Sequence, residues 1–216
     1  MRAIGRLRTR LPVAAKIALV SAGMTGGLVV AILAAGSARR FGGGKLDVDC
    51  AGRPLGQWAL EAARTLDPAA LGVVVGDAAP HFGQGAEIVR NPYALHGLGT
   101  SASAAARWAI DREADALLVM LADMPLVSPA TLRGLVEGEL PSAVAYPGGK
   151  PGVPACFPAA MLPKLAGLGG EEGAAALLRG RKDVRLVPVD PQELRDVDRP
   201  EDLADVAAIL SQGPSS

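Results

Sequence analysis

The feature that most constrains the fold of this chain is an unbroken apolar run over residues 28–35, followed at once by a polar loop. A run of about eight residues rich in Leu, Val and Ile predicts a strand that is buried on both faces of a sheet. The loop contains three consecutive glycines and three cations: Gly42, Gly43, Gly44, Arg39, Arg40 and Lys45. Because glycine lets backbone N–H groups approach an anion and cations neutralise its charge, the pattern predicts phosphate binding. The alternative is an ordinary tight turn with solvated cations.

The balance of charges narrows the possible partners. The 216 residues contain 22 Lys plus Arg and 22 Asp plus Glu, so no overall basic field attracts nucleic acid. No segment reaches the roughly 18 consecutive apolar residues of a membrane-spanning helix, and we therefore predict no membrane partner. Aromatic residues make up only 3% of the chain, so the core has to consist mainly of Ala, Val and Leu.

The scarcity of cysteine and histidine bears on the kind of metal that the chain could use. Cys50 and Cys156 lie far apart and lack metal-ligand spacing, and the chain has only two histidines, which argues against zinc. A metal would have to be held by carboxylates, and this favours Mg²⁺. Two cysteines without a disulfide framework fit a reducing compartment, so we predict a cytoplasmic protein.

The two ends of the chain differ in pattern from its middle. Residues 1–23 have a basic start and a short apolar segment, which Lys16 interrupts, and they superficially resemble a signal peptide. We interpret residues 1–24 as a disordered extension or a mis-assigned start, with a targeting segment as the alternative. A single domain is predicted over 25–212, and residues 213–216 are predicted to be a frayed tail.

Strands and helices alternate along the predicted domain. The predicted strands cover residues 28–35, 71–76, 87–90, 116–125, 142–146, 154–157 and 184–189, and the predicted helices cover 54–66, 101–113, 129–137, 158–166, 172–179 and 200–210. This alternation predicts βαβ units and an α/β fold with a mostly parallel sheet. Ligands of such sheets bind beyond the carboxyl ends of the strands. We therefore expect the loops that carry Lys45, Ser101 and Asp123 to converge.

Two familiar phosphate-binding motifs fail to account for the glycines. A Walker loop requires glycine at the position of Arg39 and Ser or Thr at the position of Leu46, so the pattern fails twice. A dinucleotide fingerprint, G-x-G-x-x-A, occurs at residues 97–102, but Asn91-Pro92 separates it from the preceding strand. It also lies outside the first βα unit, which makes it a weak indication of NAD binding.

Two acidic positions are candidates for metal binding. Asp123 follows a strongly apolar strand, where a carboxylate faces the ligand crevice and could bind Mg²⁺ that bridges nucleotide phosphates. Its alternative role is to cap the following turn. Asp198 lies in the acidic segment DVDRPED and is either a second metal ligand or the N-cap of the closing helix.

Taken in order, these motifs resemble one family. The succession LAAG, R-x-G-x-x-K, LADMP, G-x-P and DVDRPEDL is similar to that of the molybdenum cofactor cytidylyltransferases, within the wider family of Mg²⁺-dependent nucleotidyltransferases. The resemblance covers roughly residues 28–210. It implies a Rossmann-like three-layer α/β/α sandwich, and it implies transfer of CMP from CTP to a phosphorylated acceptor, molybdopterin or molybdenum cofactor, with release of pyrophosphate. A molybdenum hydroxylase would receive the product.

The resemblance also implies roles for individual residues. Arg40 and Lys45 would be catalytic and bind the triphosphate. The base and ribose would be bound by Leu33, Ala34, Ala35 and Gly36, with Gly97 and Ser101 closing over the nucleotide. Asp123 and Asp198 would be the acids associated with Mg²⁺, and Gly152 and Pro154 would belong to a loop that faces the acceptor. The AAG sequence at residues 34–36 resembles the cytidylyl branch, whereas guanylyl relatives have AGG.

Three departures from the family pattern affect these expectations. Ala38 replaces the usual serine, and Ser37 is the candidate substitute for the lost hydrogen bond to phosphate. Val153 replaces a polar residue in the G-x-P motif, and Ala175 replaces an arginine. The acceptor end therefore matches less well than the nucleotide end. The alternatives are transfer to another acceptor, such as a sugar phosphate, phospholactate or pyridinol, and a non-catalytic factor that binds nucleotide or nascent cofactor.

Overall fold

A seven-stranded sheet forms the centre of the protein. The computed structural model describes residues 27–36, 41 and 43–212. The strands of the main sheet are β1 (Leu28–Leu33), β4 (Ala70–Val75), β5 (Glu87–Arg90), β6 (Ala116–Leu121), β7 (Ser142–Tyr146), β8 (Lys150–Pro158) and β9 (Arg185–Val187). A separate two-stranded hairpin contains β2 (Asp49–Cys50) and β3 (Arg53–Pro54).

The strand order places β1 in the interior of the sheet. The order is β5-β4-β1-β6-β8-β7-β9, and β1 pairs in parallel with β4 on one side and with β6 on the other. Strand β8 is antiparallel to both of its neighbours, β6 and β7, whereas β9 is again parallel to β7. The expectation of a mostly parallel sheet is confirmed.

Helices cover both faces of this sheet. They are α1 (Leu55–Arg64), α2 (Leu98–Ile110), α3 (Pro129–Val136), α4 (Leu162–Ala166) and α5 (Pro200–Ser211). Alternate residues of β1 enter different cores: Val30 and Ile32 pack in the cluster that includes residues of α1 and α3, while Ala31 packs in the cluster that includes residues of α2 and α4. A strand with apolar side chains on both faces requires two covering layers, so the predicted α/β/α sandwich is confirmed.

A third, smaller core packs the C-terminal part of the chain against the hairpin and the start of α1. It joins Cys50 of the hairpin and Leu55 of α1 to Val197 and Val206, all of which are fully buried. Removing each such side chain from water stabilises the fold by about 1.5–3 kcal/mol. This cluster therefore holds the segment before α5 against the part of the chain that carries Lys45.

Several predicted boundaries need correction. Helix α2 begins at Leu98 instead of residue 101, so the first residues of the supposed GLGTS loop form its first turn. The helix expected over 172–179 is a short 3-10 helix, Ala174–Leu178, and the one expected over 158–166 is a 3-10 turn followed by α4. Strand β8 begins at Lys150, so Gly152 and Pro154 lie in a strand and not in a loop.

Two further expectations concern cysteines and membranes. Both cysteines are free and buried, and burial raises the pKa of the Cys156 thiol to about 12, so it packs as a small neutral group. Within residues 27–36, 41 and 43–212, no helix is long and apolar enough to cross a membrane. Residues 1–24 and 213–216 lie outside the described part of the chain, so the predictions for them stay predictions.

Candidate active site

Lys45 lies at the carboxyl edge of the sheet, just after the turn that follows β1. Gly43 and Gly44 have positive φ values of 94° and 63°, which L side chains rarely adopt, and a single-turn 3-10 helix, Lys45–Asp47, follows them. The carboxylate of Asp47 accepts hydrogen bonds from the backbone N–H groups of His81 and Phe82, at 2.7 and 3.1 Å. The glycines thus turn the chain sharply, and Asp47 fixes the segment that carries Lys45.

The ammonium group of Lys45 joins two distant acidic segments. Its Nζ donates to Asp123 Oδ2 at 2.9 Å and to the carbonyl oxygen of Val197 at 2.6 Å, and it lies 3.6 Å from Asp198 Oδ1. Lys45 is only 7% exposed. Burial of an ammonium group is costly unless acceptors surround it, and these oxygens supply that compensation. The structure therefore brings together three of the predicted site residues.

Backbone contacts hold the two acids in place. The N–H of Val197 donates to the carbonyl oxygen of Asp123 at 3.0 Å, which ties the segment before α5 to the turn after β6. Asp202 Oδ2 accepts from the N–H groups of Asp198 and Arg199, at 3.0 and 2.8 Å. The N-cap of α5 is Arg199, so the interpretation of Asp198 as the N-cap is wrong.

A cavity of about 240 Å³ lies beside this cluster. It is lined by residues from the turns after β1 and β6, from α2 and from the acidic segment: Leu33, Ala34, Ala35, Gly36, Lys45, Leu46, Leu98, Ser101, Leu121, Asp123, Asp196 and Asp198. Two adjoining cavities, of about 290 and 190 Å³, share Ala35 and Gly36 with it. The expected convergence of the loops is confirmed, and the AAG segment borders all three cavities.

Ser101 is oriented by a buried asparagine that the sequence did not single out. Asn91 is 2% exposed, and its Nδ2 donates to Ser101 Oγ at 3.0 Å and to Thr100 Oγ1 at 2.9 Å. Its Oδ1 accepts from the N–H of Tyr93 at 3.0 Å, so the amide is held at both ends. Because Asn91 donates to the oxygen of Ser101, the hydroxyl hydrogen of Ser101 can in turn be donated to a ligand.

The glycines of the G-x-G-x-x-A match serve close packing. A Cβ on Gly97, whose φ is +106°, would lie 2.3 Å from the carbonyl oxygen of Gly170, and one on Gly99 would lie 2.6 Å from that of Gly169. The N–H of Gly99 donates to the carbonyl of Gly170 at 2.9 Å. These contacts explain both glycines without a dinucleotide. Gly97 also lines the cavity of about 290 Å³, close to Ser101.

Asp196 is a third acid at the site that sequence reasoning missed. It lines the same cavity as Asp123 and Asp198. Burial raises the pKa of Asp196 above the ordinary aspartate value, and the charges of Asp198 and Asp123 raise it further. Its position in the DVD segment, two residues before Asp198, was the available signal, because alternate residues of an extended segment share one side.

The predicted acceptor residues lie on the hairpin formed by β7 and β8, and neither lines the cavity. A Cβ on Gly152 would lie 2.1 Å from Cε2 of Tyr146, so the missing side chain makes room for this ring. Pro154 follows Val153 in the same strand. Ser37 and Arg40, like Ala38, lie outside the described residues, so their expected roles in phosphate binding stay predictions.

The donor atoms of the site suit a hard cation. Asp123 and Asp198 supply carboxylate oxygens, which Mg²⁺ prefers, and Mg²⁺ characteristically uses one or two carboxylates together with substrate phosphates. In the described part of the chain, no group of three or more His, Cys, Asp or Glu side chains is arranged to enclose a metal ion by itself. The residues therefore fit a metal whose coordination is completed by a bound nucleotide.

Comparison with known proteins identifies the family. The model of the MobA-like NTP transferase domain matches residues 30–186, well over half of the chain. The chain belongs to the MobA-like NTP transferase family. This NTP transferase is also 32% identical, over 206 residues, to the purine catabolism protein PucB of Bacillus subtilis, and the match covers 85% of the chain and 98% of PucB.

Solved structures share the fold of this NTP transferase. The Rv0371c homologue of Mycobacterium sp. strain JC1 has a TM-score of 0.72 and 26% identity, covering 86% of this chain and 97% of the homologue. Rv0371c of Mycobacterium tuberculosis, solved as a manganese complex, has a TM-score of 0.65 and 24% identity, covering 84% and 98%. Both comparisons extend over nearly the whole described chain, which agrees with a Rossmann-like nucleotidyltransferase fold.

Proposed function

We propose that this NTP transferase is a cytoplasmic, Mg²⁺-dependent cytidylyltransferase that moves CMP from CTP to a phosphorylated acceptor, molybdopterin or molybdenum cofactor. The observation that carries the proposal is the cluster of Lys45, Asp123 and Asp198 beside the AAG segment, at the carboxyl edge of the sheet. A cation and two acids beside three adjoining cavities suit chemistry on a triphosphate.

The reaction would be an in-line displacement at the α-phosphorus of CTP. An oxygen of the acceptor phosphate forms a bond to this phosphorus, the bond to the β-phosphate oxygen breaks, and pyrophosphate leaves. Bound Mg²⁺, held by Asp123 and Asp198, would neutralise phosphate charge. Lys45 fixes the geometry of both acids and adds positive charge, and Ser101 donates to the nucleotide. A phosphate nucleophile is ionised at neutral pH, so the site needs no strong general base.

Support for CTP comes from the cavity of about 190 Å³, which also borders the AAG segment. The residues that line it include Asp77, Asn91 and Gly76, at the carboxyl ends of β4 and β5. Arg90 donates to the carbonyl oxygen of Asp77 at 2.8 Å, which fixes the turn that carries the carboxylate. A carboxylate can accept a hydrogen bond from the 4-amino group of cytosine. It cannot form one with the 4-oxo group of uracil, because both groups are acceptors. We infer that this cavity holds the base.

The choice of acceptor follows from the family and its motifs. The family description is MobA-like, and the motifs resemble those of the molybdenum cofactor cytidylyltransferases. The relative PucB is named a purine catabolism protein. We propose a molybdenum hydroxylase as the partner that would take up the cytidylylated cofactor, on the resemblance of the motifs alone. Transfer to a different phosphorylated acceptor would contradict molybdopterin as the acceptor. Nucleotide binding without transfer would contradict the transferase activity.

A pyrophosphate-release screen tests the proposed function. The purified chain is supplied with CTP, GTP, ATP or UTP, with Mg²⁺ or EDTA, and with or without molybdopterin. We expect pyrophosphate only when CTP, Mg²⁺ and acceptor are present together, with a product that contains CMP. Release of pyrophosphate with a sugar phosphate but not with molybdopterin would show that molybdopterin is not the acceptor. Tight CTP binding without release, whatever the acceptor, would contradict catalysis.

Replacing Asp77 by asparagine should change the choice of nucleotide. We expect D77N to lower kcat/KM for CTP and to raise the relative use of UTP, because the amide can donate to a 4-oxo group. A hydrogen-bonding mismatch at a charged group is worth about 1.5–3 kcal/mol, or roughly 10- to 150-fold in the CTP-to-UTP ratio. The ratio is measured by competition between the two nucleotides. Asp111→Asn, an exposed change at the end of α2, is the control, and an unchanged ratio in D77N would refute this role for Asp77.

A further inference from the structure

We propose that Tyr146 and Lys150 form the acceptor subsite, with the ring as a wall for a planar heterocycle and the ammonium group as the ligand of its phosphate. This inference rests on the proposed nucleotidyl transfer. It adds two side chains to the expectation that Gly152 and Pro154 belong to a segment that faces the acceptor. The register of the hairpin, the restraint on the ring and the charge of its neighbours support this subsite.

The register places the tip of the hairpin above the active-site edge. Strand β8 pairs with β6 from Ala116↔Pro158 only as far as Val119↔Ala155. Residues 150–154 therefore extend past this paired region, in the direction of the carboxyl end of β6. Asp123 lies just beyond that end. The hairpin tip is thus positioned to cover one side of the metal and phosphate region.

The ring of Tyr146 is held rigidly against the part of β8 that extends past its pairing with β6. Its hydroxyl donates to the carbonyl oxygen of Val153 at 3.1 Å, and its ring occupies the space that a side chain at Gly152 would fill. Burial and the charges of Asp196 and Asp123 raise the pKa of the phenol, which agrees with a position near the acidic cluster. A fixed, half-buried aromatic ring can stack on a flat heterocycle at little entropic cost.

Lys150 supplies the charge that an acceptor phosphate needs. It is the direct cross-strand partner of Tyr146, so the two side chains share one face of the hairpin. Lys150 is exposed, and Gly148 and Gly149 shape the turn between the two residues with φ values of 79° and 70°. Because Asp123, Asp196 and Asp198 make the adjacent edge acidic, a phosphate would approach more favourably with this cation beside it.

Steady-state kinetics with molybdopterin as acceptor test the subsite. We expect Lys150→Ala and Tyr146→Leu each to raise KM for molybdopterin about tenfold or more, with KM for CTP changed by less than about twofold. Tyr146→Phe keeps the ring and should change KM for molybdopterin by less than about threefold. Lys164→Ala, an exposed lysine of α4, is the matched control. Unchanged KM for molybdopterin in both Lys150→Ala and Tyr146→Leu would overturn the subsite while the transferase reaction stands.

A separate measurement distinguishes failure of the subsite from failure of the proposed function. If the unaltered chain transfers CMP to no acceptor, the transferase proposal fails, and equilibrium binding of molybdopterin then decides on the subsite. Weaker binding in Lys150→Ala and Tyr146→Leu would support it, and equal binding in all variants, or none to the unaltered chain, would overturn it. Gly152→Ala should displace the ring and reproduce the effect of Tyr146→Leu, with no further loss in the double variant.

Discussion

Replacing Asp123 by asparagine should reduce CTP-dependent pyrophosphate release by about 10³-fold or more, because it removes a charge from the site that would hold the metal. The amide oxygen can still accept from Lys45, whose Nζ lies 2.9 Å from Asp123 Oδ2. We therefore expect the protein to stay folded. The readouts are kcat at saturating CTP and the thermal unfolding midpoint, compared with those of Asp111→Asn.

The metal dependence of D123N separates its expected role from a structural one. If Asp123 binds Mg²⁺, the residual activity should require a higher Mg²⁺ concentration, and the midpoint of the Mg²⁺ titration should rise. If Asp123 only positions Lys45, the midpoint should be unchanged. Activity equal to that of the unaltered protein would refute the assignment. Asp123→Ala is a poorer probe, because it also removes the oxygen that accepts from the ammonium group of Lys45, which Asp123→Asn retains.

Replacing Lys45 by methionine should lower kcat by about 10²–10³-fold, the usual loss when one preorganised charge donor is removed. Methionine preserves much of the buried volume but leaves Asp123 and Asp198 without the cation between them. Lys45→Arg should restore little of the activity. Lys45 is 7% exposed, and a planar guanidinium cannot take the place of its compact ammonium group, which donates to a carboxylate and to a carbonyl oxygen.

Stability measurements should accompany the Lys45 variants, because the residue joins distant segments. Lys182→Met removes an exposed lysine and is the control for the loss of one positive charge. We expect K45M to unfold at lower temperature than this control while still binding CTP measurably. A variant with full kcat would refute a catalytic role for Lys45. A variant that loses stability but no activity per folded molecule would assign Lys45 to architecture alone.

The sequence predicted those parts of the molecule in which local pattern and tertiary environment agree. Residues 28–35 are apolar without interruption because β1 is covered on both faces. The apolar run therefore predicts that this strand lies in the interior of the sheet. Asp123 was identifiable because a carboxylate directly after such a strand points to the edge where ligands bind. The convergence of Lys45, Ser101 and Asp123 followed from the parallel arrangement alone.

The errors occurred where long-range contacts override local preference. Gly97 and Gly99 indicated a loop, yet they allow the start of α2 to pack against the backbone of Gly169 and Gly170. The hairpin partner of Tyr146 depends on strand register, which the short apolar runs at 142–146 and 154–157 could not fix. Asn91 acquires its role only from the folded arrangement, because its amide contacts Ser101 and Thr100 across the chain.

The contacts of the Lys45 ammonium group have a consequence for the order in which the chain folds. The carbonyl group that accepts its shortest hydrogen bond belongs to a residue 152 positions later in the chain. Domains are synthesised from the N-terminus, so a nascent chain that has reached α4 contains the sheet edge and Asp123 but not the segment that closes over the ammonium group. The cluster of Lys45, Asp123 and Asp198 is therefore expected to form last. A chain shortened before Val197 lacks α5 but should retain the main sheet, without the contacts that Val197 and Asp198 make to Lys45.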